Sequence, residues 1–524
     1  MSRSGRLGAV LLAVLLLAPI GCTVGPSSRP ALATQGQRPA VTGSTAPSTP
    51  PTGPGGPGRR ADPLDWGSCP SDIPAESRSG KAFVVECANL EVPLTYAKPR
   101  SSTLTLTVAR ARTADTPADA SDLVTIVGDP GVNGVGRLAD ITAELPAALL
   151  ADHAIVTLDL RGSTAVSRRM ACFRSDTVID LLGPPIDPTK DDDAVAVGKL
   201  SQQAAFDCAD QVGSSITEFS STAAADDLDS LRSALGVEKL QFVGRGFGAT
   251  LGADYAHRYP ARVDKMVLDS PSDPQPTAAE TATARAVALE ASMEEFAADC
   301  TAQPAGCPLG ADPRGAVSRL IADLGDIGDS DGRYLITGGS VLLLLSRLLG
   351  RPDQWPTLTS ALAAARSESA DVSKLSAVLA GLTGEQEDEH LLETALAYTC
   401  NDTAQRLTGA SLIDAATAAK AKAPMFGAFM IGQAGLCSAW PTATTPIGRL
   451  SAVGAAPILV AGAVQDPIAP YSGIKSLAAT LDSATLISWQ SGSHQTFPDS
   501  SCISAAVLSY LKDGTSPANR LCPP

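Results

Sequence analysis

The segment from residue 239 to residue 262 constrains the fold most, because it joins an apolar strand to a helix through a tight glycine turn. The apolar strand covers residues 240–243, and glycines stand at positions 244, 246 and 248. Glycine adopts positive φ without the penalty that a Cβ atom brings, so the chain can turn sharply here. A strand that enters a helix this directly is typical of α/β folds.

Further strands are predicted by short apolar or alternating runs elsewhere in the chain. These runs cover residues 83–85, 103–108, 123–127, 154–158, 266–268 and 458–461. Continuous apolar runs suit strands buried on both faces, and they alternate with helical patterns such as residues 227–235, which end at Gly236. The pattern predicts an α/β fold with a mostly parallel sheet flanked by helices.

The alternation of predicted strands and helices is interrupted between residues 275 and 445. This segment is rich in alanine, leucine and serine at helical spacing, as in residues 339–349. We therefore predict an α/β core formed by residues 63–274 and 446–524, with a helical cap at 275–445 inserted between two strands.

The N-terminus has the features of an export signal. Arginines precede an apolar run at residues 7–17, which is short for a membrane span, and small residues follow. We predict a signal peptide at 1–21. Gly21 before Cys22 resembles a bacterial lipoprotein cleavage site, although Pro19 departs from that pattern. Either Cys22 is lipidated and anchors the protein to the membrane, or the signal is cleaved and the protein is secreted.

Residues 22–62 are rich in proline, glycine, serine and threonine. Such a segment buries too little apolar surface to offset its ordering entropy, so we predict a flexible tether. The tether would hold the folded body outside the cytoplasmic membrane.

The cysteine count agrees with export. Of the eleven cysteines, ten remain when Cys22 is set aside, and they fall into close sequential couples: Cys69, Cys87, Cys172, Cys208, Cys300, Cys307, Cys400, Cys437, Cys502 and Cys522. In an oxidising compartment they can form five local disulfides, although spacing alone leaves the connectivity open. No spacing resembles a zinc site, and we expect neither a metal nor a cofactor.

The net charge of −15 argues against nucleic acid as a partner. The chain has no run of lysine or arginine that could follow a phosphate backbone. Acidic charge in an exported protein is usually a matter of solubility, so it identifies no ligand.

Several stretches in this order and spacing resemble a known family, the secreted tripeptidyl aminopeptidase-like serine peptidases of actinobacteria, which are α/β-hydrolases. The matching stretches are residues 159–162, Cys208, residues 227–236, the glycine turn at 244–248, residues 267–269, Cys400-Asn401-Asp402, the loop at Asp466 and the tail from Gly492 to Cys522. The resemblance covers nearly the whole chain after the tether.

The resemblance implies a serine-histidine-aspartate site with its first member missing. Family members place the nucleophile in a Gly-x-Ser-x-Gly elbow, but Gly246 stands at that position here. In chain order the acid and the base follow, and they correspond to Asp466 after an apolar strand and His494 near the C-terminus. The other histidines are weaker candidates for the base: His153, His257 and His390.

The oxyanion hole of this family combines two backbone N–H groups. Their equivalents are Phe247, which follows the elbow position, and Gly131 in the glycine-containing loop at 128–136. This loop also departs from the family, whose glycine run is denser. Changes at both places are what relaxed selection on catalysis would leave; the alternative is one loop variation together with an artefactual change at residue 246.

Two serines are candidates for a substitute nucleophile. Ser163 and Ser270 both follow predicted strands, but neither lies on an elbow. A hydroxyl displaced by several ångströms misses the approach of about 3–3.5 Å that attack requires.

Asp402 resembles a carboxylate at the edge of the family's cleft, where it would meet the free amine of a peptide. The alternative is that Asp402 caps a helix beside a disulfide.

The sequence therefore predicts an exported tripeptidyl aminopeptidase-like homologue that lacks its nucleophile and keeps a cleft for a peptide ligand. One alternative is an active serine hydrolase that uses another nucleophile. The other is an envelope scaffold lipoprotein that binds partners through its outer surface.

Overall fold

The structure is a computed structural model that describes residues 61–164, 166–325, 327–328, 334–367, 370–383, 391–442 and 445–524. The predicted signal peptide, almost all of the predicted tether, Cys22 and His390 lie outside the described residues. In the described part of the chain, no helix combines the length and apolarity that crossing a membrane requires.

One mixed sheet of ten strands organises the described residues, in the order β1-β2-β3-β5-β4-β6-β7-β10-β11-β12. Its strands are β1 (Gly67–Ser68), β2 (Val84–Pro93), β3 (Thr103–Arg112), β4 (Ser121–Val127), β5 (His153–Leu158), β6 (Leu240–Arg245), β7 (Val263–Asp269), β10 (Ile458–Ala463), β11 (Ala484–Trp489) and β12 (Arg520–Cys522). A separate ribbon pairs β8 (Ile327–Gly328) with β9 (Leu335–Ile336). Pairing is antiparallel from β1 through β3 to β5 and parallel from β5 to β12.

The helices cover the sheet and fill the segment between β7 and β10. Those before β7 are α1 (Leu138–Glu144), α2 (Ala147–Asp152), α3 (Ser175–Leu182), α4 (Asp191–Val212), α5 (Ser221–Ala234) and α6 (Phe247–Arg258). Between β7 and β10 lie α7 (Ala278–Ala302), α8 (Pro313–Asp323), α9 (Gly338–Leu348), α10 (Trp355–Ala365), α11 (Ser373–Thr383), α12 (Leu391–Asp402), α13 (Gly409–Lys422) and α14 (Gly427–Gly435). The last two are α15 (Tyr471–Thr480) and α16 (Ser501–Asp513).

Burial explains why the central strands are continuous apolar runs. Every residue of β5 and β10 is buried, since helices pack on both faces of the parallel part of the sheet. The sequence prediction of a mostly parallel sheet flanked by helices is confirmed. The strands predicted from apolar runs all fall within, or one residue from, observed strands.

Parallel strands bring their carboxyl ends to one edge of the sheet, and this edge carries the candidate site. Strands β4, β6, β7, β10 and β11 are successive neighbours, so the loops that follow them emerge side by side. Ligands of open α/β sheets bind at this edge.

Five disulfides join the cysteines in sequential couples. The bonds are Cys69–Cys87, Cys172–Cys208, Cys300–Cys307, Cys400–Cys437 and Cys502–Cys522. They use all ten cysteines other than Cys22, as the sequence predicted, and the structure supplies the connectivity that spacing left open.

A fully buried ion pair fixes the turn after β5. The guanidinium of Arg161 contacts both carboxylate oxygens of Asp227 on α5, at 2.8 and 2.6 Å. It also donates to the carbonyls of Leu94 and Glu218 at 3.0 and 2.9 Å. Because every charge is matched, this cluster serves the fold and leaves no free donor for a ligand at the bonded nitrogens.

Candidate functional site

The glycine turn between β6 and α6 has the geometry of a nucleophile elbow. Gly246 adopts φ +61° and ψ −119° between the strand and the helix. The glycines two positions before and after it are there for steric reasons. A Cβ atom on Gly248 would lie 2.1 Å from the carbonyl oxygen of Ile126, and one on Gly244 would lie 2.3 Å from that of Gly248. Strand β6 therefore enters α6 at close range to β4, and residue 246 stands at the apex of the turn.

The structure brings together His494 and Asp466, the two residues that the family resemblance assigned as base and acid. Nδ1 of His494 is 2.9 Å from Oδ2 and 3.1 Å from Oδ1 of Asp466. The carboxylate is held in place by the backbone N–H groups of Ile468 and Ala469, which donate to Oδ1 at 2.8 and 2.9 Å. This arrangement directs Nδ1 of the imidazole to the acid and leaves Nε2 for chemistry.

The Asp466 carboxylate changes the basicity of His494. Burial alone would lower the pKa of His494, since the charged imidazolium loses solvation. The charge and hydrogen bond of Asp466 outweigh burial, with smaller contributions from Asp129 and Asp269, so the pKa lies above its ordinary value. The pair is a competent acceptor for a proton from a hydroxyl nucleophile.

The imidazole faces the position where a nucleophile would stand. A Cβ atom built on Gly246 would lie 3.0 Å from Nε2 of His494 and 3.1 Å from Nε2 of Gln495. Both distances are shorter than ordinary van der Waals contact. The two side chains thus occupy part of the space that a side chain at position 246 would need, and Gly246 itself offers no hydroxyl for His494 to activate.

The loop that carries His494 is anchored to the end of β7, which the sequence analysis had not predicted. Asp269 accepts hydrogen bonds from the backbone N–H groups of Thr496 and Phe497, at 2.8 and 2.9 Å. Ser270 Oγ accepts from the N–H of Gln495 at 3.1 Å. Asp269 belongs to a stretch that carried the family resemblance, so its sequence signal was present but had no role attached.

The two predicted oxyanion elements emerge from neighbouring strands. Val127 at the end of β4 pairs with Arg245 at the end of β6, so the loop that begins at Gly128 leaves the sheet beside the elbow. Phe247 is the first residue of α6, and its N–H has no acceptor within the helix. Gly131 is buried in the loop at φ +101°. The strand order brings the elements to one edge, and their joint action on an oxyanion remains a prediction.

Neither substitute serine is presented to a ligand. Ser163 and Ser270 are each only 1 % exposed. The hydroxyl of Ser163 is buried and has no hydrogen-bond partner among the described residues. Ser270 lies beside the His494 loop, but its hydroxyl is already bonded to the backbone of Gln495.

Asp402 meets a helix N-terminus. At the end of α12, its carboxylate accepts from the backbone N–H of Ser221 at 2.9 Å and from the Ser221 hydroxyl at 2.6 Å. This is the capping alternative that the sequence left open, since Ser221 is the first residue of α5. The pKa of Asp402 is raised to about 7, because burial outweighs these hydrogen bonds, with Asp254 raising it further.

Two further histidines are occupied elsewhere. His153 is buried at the start of β5, with Nδ1 3.2 Å from the carbonyl of Leu149. His257 on α6 lies beside Ser451 at 3.3 Å. Within the described ranges, no group of three or more potential ligand side chains has the geometry of a metal site.

The segment between β7 and β10 touches the site directly. The carbonyl of Gly350, just after α9, accepts a hydrogen bond from the N–H of His494 at 2.8 Å. A Cβ atom on Gly350 would lie 3.0 to 3.2 Å from Ile468, His494 and Pro467. Arg347 on α9 forms an ion pair with Asp129 of the loop after β4 at 3.5 Å. Sequence periodicity gave no sign of these contacts, since they depend on how α9 lies over the sheet.

Comparison with known proteins agrees with this architecture. Residues 131–324 match the α/β hydrolase fold family, and residues 423–522 match the family described as TAP-like protein. The chain is 29% identical to serine protease Hip1 of Mycobacterium tuberculosis over 480 residues, 87% of this chain and 90% of that protein. It is 29% identical to carboxylesterase B of the same species over 482 residues, 87% of this chain and 89% of the relative.

Two shorter or more distant likenesses were also found. The tripeptidyl aminopeptidase of Streptomyces lividans is 30% identical over 220 residues, 40% of this chain and 38% of that protein. A proline iminopeptidase structure from Mycobacterium smegmatis covers 81% of this chain and 97% of its own at 13% identity, with a TM-score of 0.38. The strand order and the family matches carry the assignment: the chain has the α/β-hydrolase fold, with an α/β-hydrolase domain and a TAP-like domain.

Proposed function

We propose that this chain is an exported homologue of the tripeptidyl aminopeptidase-like hydrolases that binds peptides without hydrolysing them. The observation that carries the proposal is the glycine at the apex of the elbow, 3.0 Å (from its would-be Cβ) from Nε2 of a histidine that is otherwise positioned as a base. Without a hydroxyl there, no acyl-enzyme can form. Loss of the nucleophile from such a site costs on the order of 10⁶ in turnover.

The binding half of the proposal has separate support. His494 and Asp466 keep their mutual hydrogen bond, and the cap segment still contacts their loops through Gly350. If the site had no remaining function, selection would not preserve this arrangement. Calorimetric titration with short peptides tests the point, and heats equal to those of dilution at every concentration would remove peptide binding from the proposal.

The loss of catalysis is tested by returning the oxygen. The purified protein without its N-terminal signal is compared with its Gly246→Ser and Gly246→Ala variants in fluorophosphonate labelling and in an amidase assay. We expect label only on Gly246→Ser, at a rate limited by the need for His494 and Gln495 to move by a few tenths of an ångström. The alanine variant is the matched control, because it adds the same Cβ without the hydroxyl.

Two other results would change the proposal. Label on the natural protein would mean that another serine is the nucleophile, and Ser270 is then the first to replace because its hydroxyl contacts the residue after His494. Absence of label on all three proteins would mean that the loop at 128–136 no longer supports an oxyanion hole. The envelope scaffold would then be the better proposal, and partner binding should survive substitution of His494.

The location of the protein is part of the proposal. Five disulfides in the folded body suit an oxidising compartment outside the cytoplasm. Attachment through Cys22 is tested by metabolic labelling with a fatty-acid analogue. Incorporation that disappears in Cys22→Ala supports a lipid anchor, whereas unlabelled protein in the medium supports secretion.

A further inference from the structure

A cavity of about 390 Å³ lies between the start of α7 and the segment that follows Asp466. One wall is formed by Glu280 and Arg285 of α7, and another by Ile468 and Ser472. The loop after β7 contributes Asp273. Its volume falls at the small end of the range of about 300–1,000 Å³ that ligand pockets occupy, which suits a small molecule or a short peptide.

The charge that stands out in this cavity is that of Arg285. Its Nε is buried and has no hydrogen-bond partner, and no ion pair to its guanidinium is found in the described part of the chain. The side chain as a whole is half-buried, and its buried Nε loses solvation without gaining a compensating contact. Most buried polar atoms have a hydrogen-bond partner, so an unpaired Nε in the wall of a cavity points to an acceptor that a ligand would supply.

The acidic groups nearest to Arg285 are committed elsewhere. Asp466 accepts from two backbone N–H groups and from His494, and Asp129 pairs with Arg347. The negative charges of both carboxylates favour the protonated form of Arg285, but they do not offset the effects of burial and of the Arg347 charge. The pKa of Arg285 falls to about 10, because burial and then the charge of Arg347 disfavour its protonated form more than the two carboxylates favour it.

Two carboxylates in the wall of the cavity narrow the choice of ligand. Asp273 accepts from the N–H of Gln275, and Glu280 accepts from the N–H and the hydroxyl of Thr277, so both are turned to their own loops. They would still repel a simple polyanion. A ligand that carries a positive group together with its carboxylate complements both the carboxylates and Arg285 in the lining.

We propose that this cavity binds the free carboxylate of a short zwitterionic peptide through the guanidinium of Arg285. Arginine presents a planar set of donors that matches a carboxylate with two parallel hydrogen bonds. The inference rests on the proposed peptide binding and adds to it which end of the peptide is recognised and by which residue. Ile468, two residues after Asp466, lines the same cavity, so the ligand would contact the loop that carries the acid.

Calorimetry at pH 7.5 with Ala-Ala-Ala and its C-terminal amide tests the carboxylate. We expect the free acid to bind about tenfold or more tighter than the amide, since a hydrogen bond to a charged group contributes that much. In Arg285→Gln the difference between acid and amide should vanish, and in Arg285→Lys it should persist in part. Arg319→Gln, at an arginine of α8 that is 62 % exposed and outside the cavity, is the matched control and should keep the full difference.

Other peptides identify the source of the charge. A glutamate side chain in an amidated peptide should not replace the terminal carboxylate, so Ala-Glu-Ala amide and Ala-Gln-Ala amide should bind alike. N-acetylated Ala-Ala-Ala should bind several-fold more weakly than the free peptide, because it loses the charge that faces Asp273 and Glu280. If Ala-Glu-Ala amide binds more tightly than Ala-Gln-Ala amide, the site recognises acidic side chains, and the assignment to the terminal carboxylate is wrong.

Each failure has its own meaning. If Ala-Ala-Ala and its amide bind equally to the natural protein, or if Arg285→Gln keeps the preference for the acid, the carboxylate site is wrong while peptide binding stands. If no peptide binds at all, the proposed function falls together with the site. Should Arg285→Gln prove unfolded by circular dichroism, the acid and amide comparison on the natural protein and on Arg285→Lys still decides.

Discussion

Gly246 and His494 show how a single residue separates the frame of a catalytic site from its chemistry. The elbow depends on Gly244 and Gly248, whose missing Cβ atoms allow backbone contacts that no other residue permits. The apex residue has a different constraint, because its positive φ is costly for any side chain and a nucleophile must bear that cost. Glycine at position 246 removes both the strain and the reaction.

The dependence of His494 on its acid can be measured directly. Replacing Asp466 with asparagine should lower the pKa of His494, because burial is then opposed only by the smaller contributions of Asp129 and Asp269. The chain has only four histidines, so NMR titration of their ring signals is tractable. Asp499→Asn, at an exposed aspartate after the same loop, is the control and should leave the titration unchanged.

The same substitution should change how stability varies with pH. A histidine whose pKa is raised by folding stabilises the protein fully below its unfolded pKa of about 6.5, and this contribution is lost as pH rises through the folded value. Asp466→Asn should therefore lose most stability relative to the natural protein on the acidic side. A His494 pKa that rises or stays constant in Asp466→Asn would contradict the proposed coupling.

A side chain at the apex of the elbow should be destabilising. Gly246→Ala should lower the free energy of unfolding by about 1–2 kcal/mol, since an L-residue is disfavoured at this φ and its Cβ crowds His494 and Gln495. Urea unfolding provides the measurement. Gly198→Ala, within α4 and with open space around its would-be Cβ, is the control and should be neutral or stabilising. Equal effects at the two positions would show that the elbow is not strained.

Some residues of the site could be predicted from sequence and others could not. Asp466, His494 and Gly246 were assigned through the family resemblance, in which the acid and the base follow the elbow in chain order. Gly350 and Arg285 lie in the segment between β7 and β10, where helical spacing gives the type of element but not its packing against the sheet. Their contacts with the site therefore became visible only in three dimensions.

At the scale of elements, Asp402 joins α12 to the N-terminus of α5 and brings a pH dependence with it. Its pKa of about 7 lies above the unfolded value of about 3.9, so the folded state binds the proton more tightly. Stability should consequently fall as pH rises from about 4 to about 7. Asparagine cannot ionise and can still accept from the N–H of Ser221.

Asp402→Asn should therefore gain stability over the natural protein as pH rises. We expect the difference in free energy of unfolding to move in favour of the variant by about 1–3 kcal/mol between pH 5 and pH 8. Chemical unfolding at the two pH values gives this difference. Asp414→Asn, at an exposed aspartate of α13, should show no such change. A difference that moves against Asp402→Asn would mean that the carboxylate is the stabilising form.

Strands could be predicted from the sequence where both of their faces are buried. The inner strands β5 and β10 are buried throughout and appear in the sequence as unbroken apolar runs. The edge strand β12 consists of Arg520–Cys522 and pairs with β11 on one side only. Three residues are too few to show a periodic pattern in the sequence. Its place in the sheet comes from neighbours that are distant in sequence.

At the scale of the whole molecule, local disulfides tie the chain at five places, and their contributions should differ in a predictable order. Cys300–Cys307 has a sequence separation of 7, whereas Cys400–Cys437 spans 37 and links α12 to the end of α14. Loss of chain entropy in the unfolded state gives about 2.4 kcal/mol for the shorter loop and about 3.8 kcal/mol for the longer one.

Removing the longer bond should therefore destabilise the protein more. The double variant Cys400→Ala/Cys437→Ala should lose about 1 kcal/mol or more beyond the loss in Cys300→Ala/Cys307→Ala, and burial of both Cys400 and Cys437 adds a packing cost in the same direction. Urea unfolding of the two double variants, after peptide mapping has verified the four remaining bonds in each, measures the difference. An equal or reversed order would show that the unfolded chain keeps structure across residues 400–437, so that closing this loop removes little entropy.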